Sequence, residues 1–215
     1  MSPAVEVAIE TSERPGSLAV RLADRRAERT LAESRAHARD LLPLLAELLD
    51  ELGLDATAAR ELGAVYVGLG PGSYTGLRVG LATAQGLARG AECPLRGVPS
   101  FEALSLGELA PGEHAHVVRD ARAGRFYHAA YRRTEDDVEV HSAPRALRLE
   151  ELQAALEEPG RRFLDAGSAE ALGAAPGPGL ARAGDLLTLG ARRLESLGPQ
   201  DPAGLEPLYL RAFGE

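Results

Sequence analysis

Residues 68–80 read GLGPGSYTGLRVG. They follow an apolar run, AVYV at 64–67, and lead into a stretch from about Thr75 to Gly90 with helical spacing. A strand, a glycine-rich loop and a helix in that order form the α/β unit that carries helix N-terminal amides to the end of a strand, where ligands tend to bind. The loop therefore bears on two questions at once. One is the fold, and the other is whether Gly70, Gly72, Ser73, Thr75, Gly76 and Arg78 contact an anion such as a phosphate.

Spacing narrows the chemistry. No frame supplies the lysine or the G-x-x-x-x-G-K-[ST] interval of a Walker loop, and the near-match to G-x-G-x-x-G has one residue too many. Ser73 lacks the flanking glycines of a G-x-S-x-G nucleophile elbow, so a serine hydrolase is the remotest reading. Architecture accounts for the loop more simply: Ser73 and Thr75 as helix-capping hydroxyls, the glycines shaping a tight turn, and Pro71 stiffening it. Arg78 is the side chain this leaves without a structural role.

Downstream, Gly76, Gly80, Ala84 and Ala88 form a ridge of small residues at four-residue spacing, with Ala82, Gly86 and Gly90 as a second. Each interior glycine costs a helix about 1 kcal/mol relative to alanine, so such a ridge predicts close approach of another backbone. Upstream, HARDLLPLLAELLDELG (37–53) carries leucines over more than one helical stripe, which predicts a helix facing a partner as well as its own core. On this reading His37, Leu41, Leu45, Leu48, Gly80 and Ala84 lie at or near a partner interface. His37 serves equally as a cap or a packed polar contact.

Around these helices the pattern repeats in two halves. Strands are predicted in VEVAIE, SLAVRLAD and 28–31, then in AVYVGLG. After a helix in SFEALSLGELA, further strands follow in HAHVVRDA, GRFYHAAYRR, VEVHS and RRFLDA, with helices at 149–157 and about 180–197. The Gly- and Pro-rich stretch GAAPGPGLARAG reads as a loop rather than a domain linker. Two α/β lobes result, 1–100 and 101–199.

Composition excludes more than it proposes. The 215 residues carry a net charge of -8, without the basic footprint of a stand-alone nucleic-acid binder. All 24 basic residues are arginine, and neither Lys nor Asn occurs, which removes Schiff-base chemistry and a Cys-His-Asn triad. Cys93 is the one cysteine and reads as a structural thiol. No apolar run reaches the roughly 18 residues of a membrane span and no secretory leader is readable, so a cytoplasmic location is expected. His114 and His116 share a strand face but read as exposed residues rather than a metal pair. Asp120, Arg122 and Arg125 around a hairpin could grip an anion or form a surface ion pair.

Taken in order, VAIETS (7–12), SRAHARDLLPLL (34–45), GLGPGSYTGLRVGLATAQGLA (68–88), VVRDARAGRFYHAAY (117–131) and PLYLR (207–211) resemble the TsaB (YeaZ) family across nearly the whole chain. Glu10 departs from it: the family usually has Asp there, at a position that in the wider actin-like ATPase superfamily approaches phosphate or metal. The extra methylene argues against a metal role.

The resemblance implies an actin/hexokinase-like (ASKHA, ribonuclease H-like) α/β fold of two small lobes with mixed sheets flanked by helices, the first lobe (1–100) being completed by 200–215. It implies a non-catalytic scaffold or activating subunit in synthesis of threonylcarbamoyladenosine beside the tRNA anticodon, with no catalytic and no metal-binding residue of its own. A TsaD-like catalytic subunit and a TsaE-like ATPase are the implied partners, and these would carry ATP and metal. The resemblance further implies a homodimer when the chain is alone, and contact with tRNA only through the complex. The alternative is a stand-alone ATPase or kinase of the same superfamily.

Overall fold

A computed structural model describes residues 4–31, 37–177 and 179–210, the side chains of residues 37 and 38 excepted. The chain divides into two compact units: Met1–Ala103 with Ala181–Pro207, and Leu104–Leu180 with Leu208–Glu215.

The first unit is built on a five-stranded mixed sheet of order β3-β2-β1-β4-β5. β1 (Val5–Glu10), β2 (Ser17–Leu22) and β3 (Arg25–Thr30) form an antiparallel meander; β4 (Leu62–Gly68) and β5 (Leu95–Val98) join parallel to β1. β1 and β4 are buried along nearly their whole length, as strands covered on both faces must be. Alternation assigns the faces. Tyr66 packs against Gly190 of α6 (Ala183–Leu197), whereas Ile9, whose partner is Val67, points to Gly80 of α2 (Tyr74–Gly90). The sheet is thus sandwiched between α6 on one side and α2 on the other, with α1 (His37–Glu51) packed beside α2.

Within α1 the leucines resolve into one stripe. Leu41, Leu45, Leu48 and Leu49 are buried, while Leu42 is 56% exposed. The excess of leucine therefore serves the chain's own core, with little left over for a second face.

Sequence reading placed the 180–197 helix in the second lobe; its apolar stripe, Leu186, Leu187 and Leu189, is instead buried against the first sheet. Its start is pinned there by hydrogen bonds from the Ala183 and Gly184 amides to Ser17 and Glu28. An ion pair between half-buried Arg193 and buried Glu102 holds its far end.

The second unit has a four-stranded sheet, β8-β7-β6-β9. β6 (His114–Asp120), β7 (Arg125–Arg133) and β8 (Val138–Arg148) are antiparallel neighbours, and β9 (Arg161–Leu164) runs parallel to β6. Val118, Phe126, Leu147, Leu152, Leu156, Leu164 and Ala169 form its core beneath α4 (Leu149–Ala155) and α5 (Ala166–Leu172). α3 (Ser100–Glu108) follows β5.

Candidate functional site

The glycine loop begins where β4 ends, beside the end of β1, and is clasped by its own chain. Leu69 N–H donates to the Val98 carbonyl at 2.9 Å, continuing the β4–β5 ladder, and Gly70 N–H and C=O both pair with Ser100, at 3.0 and 2.8 Å. Ser73 N–H donates to the Ser12 carbonyl at 2.7 Å, and Gly76 N–H to Ser73 Oγ at 3.2 Å as an N-cap. A phosphate cradle needs amides aimed outward. Here those of Gly70, Ser73 and Gly76 already have acceptors within the fold.

The glycines answer to the same constraint. Gly70 has φ of +84°, open to glycine at no steric cost. A Cβ at Gly76 would collide with the Thr11 carbonyl, and one at Gly80 with Thr11 Oγ1. Thr11 Oγ1 in turn donates to the Gly76 carbonyl at 2.8 Å, locking β1 to the first turn of α2. The backbone that the small residues were expected to admit is therefore β1 of this chain.

The leucines and small residues expected at or near a partner interface sit inside the fold. Gly80 and Ala84 are buried against the sheet, and Leu41, Leu45 and Leu48 lie in the core, so none of the five offers its side chain to a partner. The His37 side chain lies outside the described residues. What α2 does present is its opposite face, a groove of about 400 Å³ lined by Tyr74, Thr75, Arg78, Val79, Ala82 and Thr83. Arg78 donates to the Tyr74 hydroxyl at 2.7 Å with its guanidinium 5.4 Å from that ring's centre, so it is laid along the helix. Farther along the same surface, Gly86 and Gly90 have no atom near where a Cβ would stand.

Glu10 lies under the loop and is turned inward. Its Oε1 accepts from Ser12 N–H at 2.6 Å, Oε2 is buried without a hydrogen-bond partner, and a Cβ on Gly68 would overlap the carboxyl. Burial pushes this carboxyl up to about 7, only partly offset by the Ser12 and Ser100 donors. A group so enclosed is a buried acid rather than a ligand facing a cleft.

In the second unit Asp120 serves its own hairpin, with Oδ1 accepting from Arg122 N–H at 2.7 Å, while Asp165 receives the Asp120 amide and caps α5. The hairpin turns through three consecutive residues of positive φ, Arg122, Ala123 and Gly124.

Histidine is where sequence reading missed a grouping. His116 is buried, not exposed, and its Nδ1 lies 3.0 Å from Nε2 of buried His128. His114 and His141 stand beside them, with ring centres 6.0 Å apart. His128 and His141 sit on separate strands, so spacing along one strand carried no signal of them; the β6–β7 and β7–β8 registers did. Among the described residues, no group of three or more His, Cys, Asp or Glu side chains is arranged to hold a metal ion.

Comparison with known proteins places this geometry. The model of one family, described as TsaD: tRNA N6-adenosine threonylcarbamoyltransferase, matches residues 30–171, well over half of the chain. The chain belongs to that family.

Within the family, the similarity is to TsaB/YeaZ members. The chain is 37% identical over 106 residues to the tRNA threonylcarbamoyladenosine biosynthesis protein TsaB of Escherichia coli, covering 48% of this chain and 45% of that one. It is 32% identical over 123 residues to TsaB of Haemophilus influenzae, covering 56% and 51%. The matched region thus spans about half the length of these curated relatives. The solved structure of YeaZ from Pseudomonas aeruginosa superposes with a TM-score of 0.81 at 25% identity, covering 98% of this chain and all of that one. The two mixed sheets flanked by helices are accordingly an ASKHA-type α/β architecture.

Proposed function

We propose that this chain is a non-catalytic subunit in the synthesis of threonylcarbamoyladenosine in tRNA, acting as scaffold or activator for a TsaD-like catalytic subunit and working with a TsaE-like ATPase. The pathway is supported by the TsaB relatives and the YeaZ superposition. The observation that carries the non-catalytic reading is the glycine loop itself. Its amides at Gly70, Ser73 and Gly76 are spent on Ser100, Ser12 and Ser73, and the acid beneath it, Glu10, is sealed inside.

The partner would dock on the outer face of α2. Gly86 has no intrachain reason to be glycine, and its cost to the helix is recovered only if another backbone approaches there. Ala82, one turn earlier on the same surface, lines the groove with Tyr74 and Arg78, offering apolar area rimmed by a cation. An acidic chain met by tRNA through a complex would leave phosphate contacts to the other subunits.

Reconstitution tests this. Modification of tRNA by the TsaD-like and TsaE-like proteins should require this chain, and the chain alone should neither turn over ATP nor modify tRNA. Unchanged modification without it, or saturable ATP hydrolysis by it alone, would overturn the reading.

A further inference from the structure

Glu158, in the connection between α4 and β9, is gripped twice by histidine. Its carbonyl lies 3.1 Å from His116 Nε2, and its carboxylate 3.2 Å from His141 Nε2. The carbonyl can only accept, so His116 Nε2 must carry a proton. In the neutral ring His116 Nδ1 is then a bare acceptor, and the 3.0 Å contact obliges His128 Nε2 to be the donor. That leaves His128 Nδ1 as a bare lone pair, and this atom is buried with no partner. Every proton in the relay is thus assigned by one carbonyl.

We propose that His116, His128 and Glu158 form a proton-sensitive clasp, which pins the α4–β9 connection to the sheet while both rings are neutral and releases it when a proton is added. An added proton has no place in the closed arrangement. On His116 Nδ1 it would meet the N–H of His128 head-on, and on His128 Nδ1 it would be a buried charge without an acceptor. Either ring must swing away to be solvated. Movement of His116 frees the Glu158 carbonyl, and with it Pro159 and Gly160, where a Cβ would stand 3.1 Å from the His116 ring.

The surroundings bias the clasp toward the neutral state. From β8, Arg145 faces His128 and His141 faces His116; from β9, Arg162 adds a further cation. Among the described residues the Glu158 carboxylate is the opposing charge, and His114 lines the adjoining pocket of about 210 Å³ with His116, Tyr131 and Glu158. Burial pushes His128 down to about 4 and His116 in the same direction. Because the folded state prefers both rings neutral, the clasp is at full strength above their ordinary value near 6.5 and is lost as pH falls from there toward 4. The His141–Glu158 pair is exposed on both sides and contributes little in either direction.

Hydrogen exchange on the full chain, corrected for the intrinsic pH dependence of the chemistry, tests the clasp. Protection of amides in 157–164 should fall by up to about tenfold per pH unit through the transition, while α5 in the same unit keeps its protection. In His128→Gln the side-chain amide can donate to a neutral His116 or turn to accept from a charged one, so protection should become nearly independent of pH. Long-range nitrogen–proton NMR at pH 7.5 should show both rings as the Nε2–H tautomer. A wild-type profile flat with pH, the same slope in His128→Gln, a parallel loss in α5, or an Nδ1–H tautomer in either ring would each overturn the proposal.

Discussion

Thr11 sets the position of α2 to within a side chain. Its carbonyl occupies the space a Cβ on Gly76 would need, and its hydroxyl the space at Gly80. Gly80→Ala is therefore expected to destabilise the chain by roughly 1–3 kcal/mol, measured by urea unfolding, even though alanine is the better helix former. Glu10 makes an opposite kind of demand. Its folded carboxyl is raised to about 7 from an ordinary 4.5, so the fold favours the protonated form, and that contribution is present below 4.5 and lost as pH climbs through 7. Glu10→Gln keeps an acceptor for Ser12 N–H and does not titrate. Relative to the wild type, its stability should rise by up to about 1.4 kcal/mol for each pH unit crossed between 4.5 and 7. Equal pH dependence of the two proteins would refute the assignment. The loop's residues were legible in sequence because Ser73 capping and the tight turn are local. The inward turn of Glu10 was not, since it depends on Gly68 and Ser100, 58 and 90 positions away.

Helices show where sequence periodicity misleads. α1 contains more leucines than one stripe needs, and counting them suggested a second, partner-facing stripe; packing shows Leu41, Leu45 and Leu48 in the core and only Leu42 well exposed. Leu48→Ala is accordingly expected to cost about 2–5 kcal/mol of stability, as for a buried leucine, in thermal or chemical unfolding of the lone chain. On α2 both small-residue ridges were visible, but sequence could not say which was satisfied within the chain. The Gly76–Gly80–Ala84–Ala88 ridge is buried, and the Ala82–Gly86–Gly90 ridge is the open one. Gly86→Ala should stabilise the isolated chain by up to about 1 kcal/mol, since nothing stands where the methyl would go. Gly86→Arg should leave the lone chain folded yet abolish co-purification with a TsaD-like partner. Retained binding would move the interface elsewhere. β5 (LRGV) and α5 (AGSAEAL) escaped the sequence reading because each carries a glycine and at most two large apolar side chains, too few to display a period.

Across the whole chain, the two-sheet α/β plan followed from strand and helix patterns, whereas the membership of each unit did not. The α6 helix follows the second unit in sequence but closes the first sheet, because its stripe of Leu186, Leu187 and Leu189 matches the face that Tyr66 and Ala8 leave open. A chain that returns to its first unit in this way gives local patterns no means of reporting the return. The histidines of the second unit were hidden for the same reason, being brought together by strand register rather than by spacing.

The proposed function rests on one contrast, between a loop whose Gly70, Ser73 and Gly76 amides are taken up by acceptors within the fold and an α2 face that stays exposed. Both sides of it are read by assaying threonylcarbamoyladenosine formation in tRNA with the TsaD-like and TsaE-like proteins, adding wild-type chain, Gly86→Arg chain or none. The expected result is modification with the wild-type chain and only background with the variant or without the chain. Equal modification in all three reactions would contradict the account.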